Sequence, residues 1–162
     1  MLDLLNLRKQ LGFYKRYHQN VVNVTIHSFF VPTIFVTSCM MLNRVKLGST
    51  GITLGHVLMV TYAFYYFLLH RLVGLLASTV IFVMNYFIQN NSIDFKFEIG
   101  LWLLSWAFQF MGHGVFEGNR PALFDNLVQS LVLAPYFILF EFLFVLGFCN
   151  ELQLQLKRDM KK

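Results

Sequence analysis

Three observations predict an all-α polytopic membrane bundle with four crossings plus one re-entrant or interfacial helix. Hydrophobic residues make up 57% of the 162 residues, charged ones only 13%, and 19 residues are Phe, whereas soluble domains average about 45–50% apolar and about 25% charged. Charge-free stretches recur at 17–43, 47–70, 72–93 and 99–116, and about 20 apolar residues suffice to cross a hydrocarbon core. Both ends are basic, with Arg8, Lys9, Lys15 and Arg16 at one and Lys157, Arg158, Lys161 and Lys162 at the other. The positive-inside rule then places both ends in the cytosol and requires an even number of crossings. No internal repeat or linker divides the chain, so 1–162 reads as a single membrane domain.

Residues 1–22 form a cytosolic amphipathic segment: Leu4, Leu7, Leu11 and Tyr14 fall in one narrow helical stripe flanked by Arg8 and Lys15, a pattern that lies on a membrane surface. The first membrane helix is expected from Val24 to Leu42, because asparagine side chains compete for backbone hydrogen bonds and favour caps and turns. Asn23 is its expected cap. The stretches 47–70 and 72–93 each have the length of a crossing. Ile99–His113 is short and is the expected re-entrant or interfacial element. A fifth apolar stretch, Leu127–Phe148, contains Pro135 and Glu141, which must face protein or a polar cavity rather than lipid. Residues 150–162 read as a cytosolic basic tail. The formal charge of +5 arises mainly from the two ends, so it implies attraction to anionic headgroups and, without basic-aromatic interleaving, no nucleic-acid partner. Cys39 and Cys149 sit in apolar stretches and are expected reduced.

The chemistry-bearing residues collect at two places. His113 and Glu117 stand four residues apart, a spacing that puts a metal-type ligand and a carboxylate on one helix face. His18 and His27 are nine residues apart, which turns them to opposite faces of an unbroken helix. Both can reach one ion only if the chain bends between them, and Asn20-Val21-Val22-Asn23 offers such a bend. Asn23, one turn before His27, is placed to orient a ligand or touch a substrate. Arg120 can grip a carboxylate headgroup through its fork of donors, although an interfacial arginine also satisfies lipid phosphate. His56 and His70 lack a nearby acid or motif and read as structural.

Tyr14 to His18, Asn23, His27, Pro32, Trp106-Ala107-Phe108-Gln109-Phe110-Met111-Gly112-His113-Gly114-Val115-Phe116-Glu117, Arg120-Pro121-Ala122-Leu123 and Gln129 through Ala134-Pro135-Tyr136-Phe137 together resemble one small family. It is the fungal 2-hydroxy fatty acid dioxygenases of the endoplasmic reticulum membrane, Fe(II)-dependent enzymes of fatty acid α-oxidation in phytosphingosine breakdown. The resemblance spans nearly the whole chain; one departure is Val21, where many members carry proline. It implies Fe(II) as cofactor, His18, His27 and His113 as iron-associated residues, and a 2-hydroxy fatty acid and dioxygen as reactants. Glu117 becomes a proton-handling or ligand-supporting catalytic candidate, and Asn23, Arg120 and Gln129 the substrate-binding candidates. Geometry permits this chemistry, since a 2-hydroxy acid can chelate a metal through hydroxyl and carboxylate oxygens while a further position remains for dioxygen. A di-iron membrane hydroxylase resemblance would imply about eight clustered histidines, and the chain has five. A haem protein using His27 and His113 as axial ligands and a noncatalytic lipid-binding or scaffold protein are the remaining alternatives.

Overall fold

Helix boundaries follow from where polar side chains can satisfy the free N–H groups of each first turn. The computed structural model describes residues 2–91, 93–118 and 129–160. A 3-10 turn, Leu2–Leu5, is followed by α1 (Leu7–Tyr17), α2 (Val21–Asn43), α3 (Leu54–Leu69), α4 (Arg71–Asn90), α5 (Phe95–Met111), α6 (Ala134–Val145) and α7 (Asn150–Asp159). Gly112–Glu117 continue α5 in π form, and a second π segment, Gln129–Leu133, leads into α6. No strand occurs among the described residues. The chain forms two compact units, one of Met1–Val31 with Phe108–Lys162 and the other Pro32–Ala107.

In the first unit, the Asn6 side chain caps α1 by accepting from Lys9 N at 3.1 Å. The stripe read from sequence then divides: Leu11 and Tyr14 are buried, whereas Leu7 is half-buried and Leu4 stays exposed. Leu156 of α7 is buried over Gly12, where a Cβ would stand at an ordinary contact distance of 3.9 Å from it, and Arg8 makes a two-pronged bond to Asp159 at 2.7 Å. The expected tail is therefore a helix docked on α1. In α6, Pro135 sits in the first turn, where its missing N–H costs nothing. Tyr136, Phe137 and Phe140 fill the core. Glu141 is held by Lys15 at 2.5 Å, the protein partner that a carboxylate within an apolar stretch requires. The α6–α7 pair bends by 109°, at Gly147 and Cys149, both in the left-handed region.

In the second unit, α3 and α4 form an antiparallel pair whose closeness depends on Gly74: a Cβ there would lie 2.3 Å from Tyr66 O. His70 ends α3 and caps α4, accepting from Val73 N at 3.2 Å, while His56 completes a capping box with Thr53. Both histidines thus serve helix ends. The other face of α4 carries Leu72, Leu75, Val80, Val83 and Phe87, all exposed. A continuous apolar exterior of this kind suits lipid, not water.

Two expectations about the crossings change. The fourth stretch is not short, because α5 starts at Phe95 and runs with its π segment to Glu117, 23 residues in all. At 1.5 Å per residue that is about 35 Å, enough for a hydrocarbon core of about 30 Å. Glu98 hid this from the sequence: it is 3% exposed and neutralised by two bonds from Arg44, at 2.5 and 3.1 Å, so its charge does not end the helix. Conversely, stretch 47–70 yields only the 16-residue α3, roughly 24 Å long. Residues 44–53 form a turn instead, with Gly48 and Gly51 at positive φ. Among the described residues three helices, Val21–Asn43, Arg71–Asn90 and Phe95–Glu117, are long and apolar enough to cross, or up to four if the bent α6–α7 pair counts as one.

Candidate metal centre

The nine-residue problem between His18 and His27 is solved by a joint. α1 ends at Tyr17, His18 adopts a non-helical conformation (φ −137°, ψ 70°), and α2 restarts at Val21. Asn20, not Asn23, caps α2: its side chain accepts from Val22 N at 2.9 Å and Asn23 N at 3.4 Å. The bend therefore forms with valine at position 21. The helix begins three residues before the expected Val24, which leaves Asn23 in its first turn, fully buried.

Glu117 locks this joint. One carboxylate oxygen accepts from Gln19 N at 2.8 Å, and the other accepts from Asn20 N at 3.0 Å and Asn23 Nδ2 at 2.9 Å. A carboxylate at a helix N-terminus is favoured by the free N–H groups and the helix dipole. The equal partnership suggested by the His113–Glu117 spacing does not arise, since Glu117 is engaged by three donors while His113 turns to the other two histidines.

The potential ligand atoms of His18, His27 and His113 all lie within 4.8 Å of one another, and all three residues are buried. Ring centroids are 4.5 Å (His18–His27), 4.8 Å (His18–His113) and 4.7 Å (His27–His113) apart, with interplanar angles of 71–83°. His18 Nδ1 meets Tyr14 O at 2.9 Å, and His27 Nδ1 meets Asn23 O at 2.9 Å. A carbonyl accepts the Nδ1 proton and leaves Nε2 with a free lone pair, the arrangement of metal-binding histidines. Burial, reinforced by His27, holds the His18 imidazole well below its ordinary pKa, so it stays neutral. Burial also pushes the phenol of Tyr14, whose ring stacks on His18 at 3.9 Å, well above its usual value, with Glu141 and Glu117 adding to the shift.

His18 Nε2 and His113 Nδ1 are buried without a hydrogen-bond partner. Orphaned buried nitrogens are costly unless something binds them. Three neutral imidazoles suit a first-row divalent ion and leave positions open for reactants, as catalytic centres do. The residues fit Fe(II). They do not fit a haem held by His27 and His113, because a flat macrocycle must separate its two axial ligands, and the third imidazole stands beside both.

Gly112 makes the approach possible. A Cβ there would lie 2.5 Å from Asn23 Oδ1 and 3.6 Å from His27 Cε1. The π form of this segment, Gly112–Glu117, belongs to a class often found at functional sites. Among the substrate-binding candidates, Asn23 borders the triad, whereas Arg120 and the Gln129 side chain lie outside the described residues. Sequence reasoning missed Asn20 as the cap, Gly112 as the contact point, and Gln109, buried one turn before His113. A glycine directly before the histidine was the available signal for the second of these.

The family model described as 2-hydroxy-palmitic acid dioxygenase Mpo1-like matches residues 4–146. The chain is 54% identical over 160 residues to the 2-hydroxy-palmitic acid dioxygenase MPO1 of Saccharomyces cerevisiae, covering 98% of this chain and 91% of that one. No solved structure matches.

Proposed function

Because the chain belongs to the Mpo1-like family of 2-hydroxy-palmitic acid dioxygenases, we propose that it is a membrane-embedded, Fe(II)-dependent dioxygenase that shortens 2-hydroxy fatty acids by one carbon. The observation that carries the reading is the buried triad of His18, His27 and His113. The overall reaction is R–CH(OH)–COOH + O2 giving R–COOH + CO2 + H2O. The bond between the carboxyl carbon and the hydroxylated carbon breaks, the acid loses four electrons, and dioxygen accepts four. No external reductant is needed. Fe(II), when bound, supplies the site at which dioxygen and the hydroxyl and carboxylate oxygens of the acid meet.

The protein's own part is positioning. The carbonyls of Tyr14 and Asn23 orient two of the imidazoles. Glu117 holds the joint that brings His18 beside His27, and so acts on the ligands through the backbone. Burial of all three rings excludes bulk water. The stacked pair Phe30 and Phe108, at 4.4 Å, lies about one turn from the triad residues on both helices and offers an apolar wall for the start of the acyl chain. The reading extends to phytosphingosine degradation in the endoplasmic reticulum membrane with both termini cytosolic, which the basic residues at both ends support.

The test is mass spectrometry of the lipid product after purified protein, Fe(II) and air meet a 2-hydroxy fatty acid. The expected product is the fatty acid one carbon shorter, formed only without a chelator. Cleavage that persists with a chelator overturns the iron assignment, and no cleavage overturns the enzyme.

A further inference from the structure

Buried polar atoms without partners are rare in folded proteins, and in the first unit five of them belong to the triad or to residues next to it. They are Tyr14 Oη, His18 Nε2, Asn23 Oδ1, Gln109 Nε2 and His113 Nδ1. Their chemistry sorts them. The two imidazole nitrogens are metal ligands in the proposed function. Asn23 Oδ1 is an acceptor pressed against Gly112, with its Nδ2 already given to Glu117. Tyr14 Oη and Gln109 Nε2 are what remains, and both carry protons to donate.

Both sit on the elements that lead into triad residues. Tyr14 is 4% exposed, with its ring on the His18 ring at 3.9 Å and against Phe137 at 4.8 Å. Gln109 is 5% exposed and stands four residues before His113, in the last turn of α5 before the π segment that carries the histidine. Neither buried donor has a reason to lack an acceptor in a purely structural core, where leucine and phenylalanine would fill the same volumes without an unsatisfied group.

We propose that Gln109 and Tyr14 are the headgroup receptor of the enzyme, donating hydrogen bonds to the carboxylate of the 2-hydroxy acid. This rests on the proposed function and adds to it the residues that recognise the acid. A fatty acid headgroup entering a buried site loses its hydration, and two neutral donors at fixed positions replace it without placing a second charge beside the metal ligands. Discrimination follows, because a site built around buried donors rejects molecules that leave them unpaired. An aliphatic 1,2-diol of the same length keeps the hydroxyl but lacks the carboxylate.

The experiment uses full-length protein in detergent, loaded with Co(II) as a spectroscopic stand-in for Fe(II), and compares wild type with Gln109→Leu, Gln109→Met and Tyr14→Phe. Metal content is measured first. The absorption change of Co(II) then reports binding of 2-hydroxyhexadecanoic acid and of hexadecane-1,2-diol without turnover. The expected result is unchanged Co(II) content, at least about tenfold weaker binding of the acid in each variant, and no loss of diol binding. Unchanged acid binding in the folded variants, or equal loss for acid and diol, overturns the assignment. If Gln109→Leu does not fold, Gln109→Met, closer in shape, gives the same readout, and loss of metal in both makes Gln109 structural and also overturns it. Should the wild type take up Co(II) but bind no 2-hydroxy acid, the proposed function itself fails, a result separate from any difference among variants.

Discussion

Removing the Glu117 carboxylate tests whether the joint between α1 and α2 is what assembles the triad. In Glu117→Ala three donors lose their acceptor: Gln19 N, Asn20 N and Asn23 Nδ2. Gln19 is exposed and Asn20 partly so, and their amides regain water, whereas Asn23 is fully buried and keeps only a 3.5 Å contact with Tyr17 O. The loss is therefore dominated by one buried, charge-assisted bond, about 2 kcal/mol. If that energy is what holds His18 beside His27, metal affinity falls by roughly 30-fold, at 1.4 kcal/mol per tenfold, within the range typical of residues that orient metal ligands. Competition titration of Fe(II) or Co(II) against a chromophoric chelator measures it. Asn23→Ala should give a similar loss, and the double variant little more than either alone, because both changes remove one interaction. Wild-type metal affinity in Glu117→Ala, with turnover abolished, would refute the reasoning and return Glu117 to direct proton handling.

Three further outcomes follow from other parts of the fold. Gly112→Ala forces a Cβ to 2.5 Å from Asn23 Oδ1, so it should destabilise the protein by about 1–3 kcal/mol and weaken metal binding, read by thermal unfolding and the same titration. His56→Ala and His70→Ala remove helix caps outside the triad, costing about 1 kcal/mol each while leaving metal content and turnover intact. Acceptor sites for glycosylation fused to each terminus should both remain unmodified in microsomes; modification of one alone would mean an odd number of crossings.

How much of this was legible in the sequence depends on whether a residue acts locally or through a distant partner. The all-helical class followed from composition and run length. His18, His27 and His113 stood out because a buried imidazole needs a partner and because the motifs around them resemble a known family. The need for a bend between His18 and His27 was readable from helix geometry, but the cap that follows it was misassigned to Asn23, since Asn20 and Asn23 are chemically identical candidates and only Glu117, about a hundred residues away, decides between them. Glu98 misled the reading for the same reason: a charge ends a predicted span unless its partner is known, and Arg44 lies 54 residues earlier. Gln109 passed as one polar residue within an apolar helix, because the lack of a partner becomes visible only when every neighbour is in place.

The most direct test of the central claim is X-ray absorption at the iron edge of the purified, Fe(II)-loaded full-length protein. Three neutral imidazoles on one ion predict outer-shell scattering from about three histidine rings, with oxygen completing the inner shell and neither sulfur nor porphyrin present. A spectrum with at most one imidazole, or with the signature of a macrocycle, would contradict it.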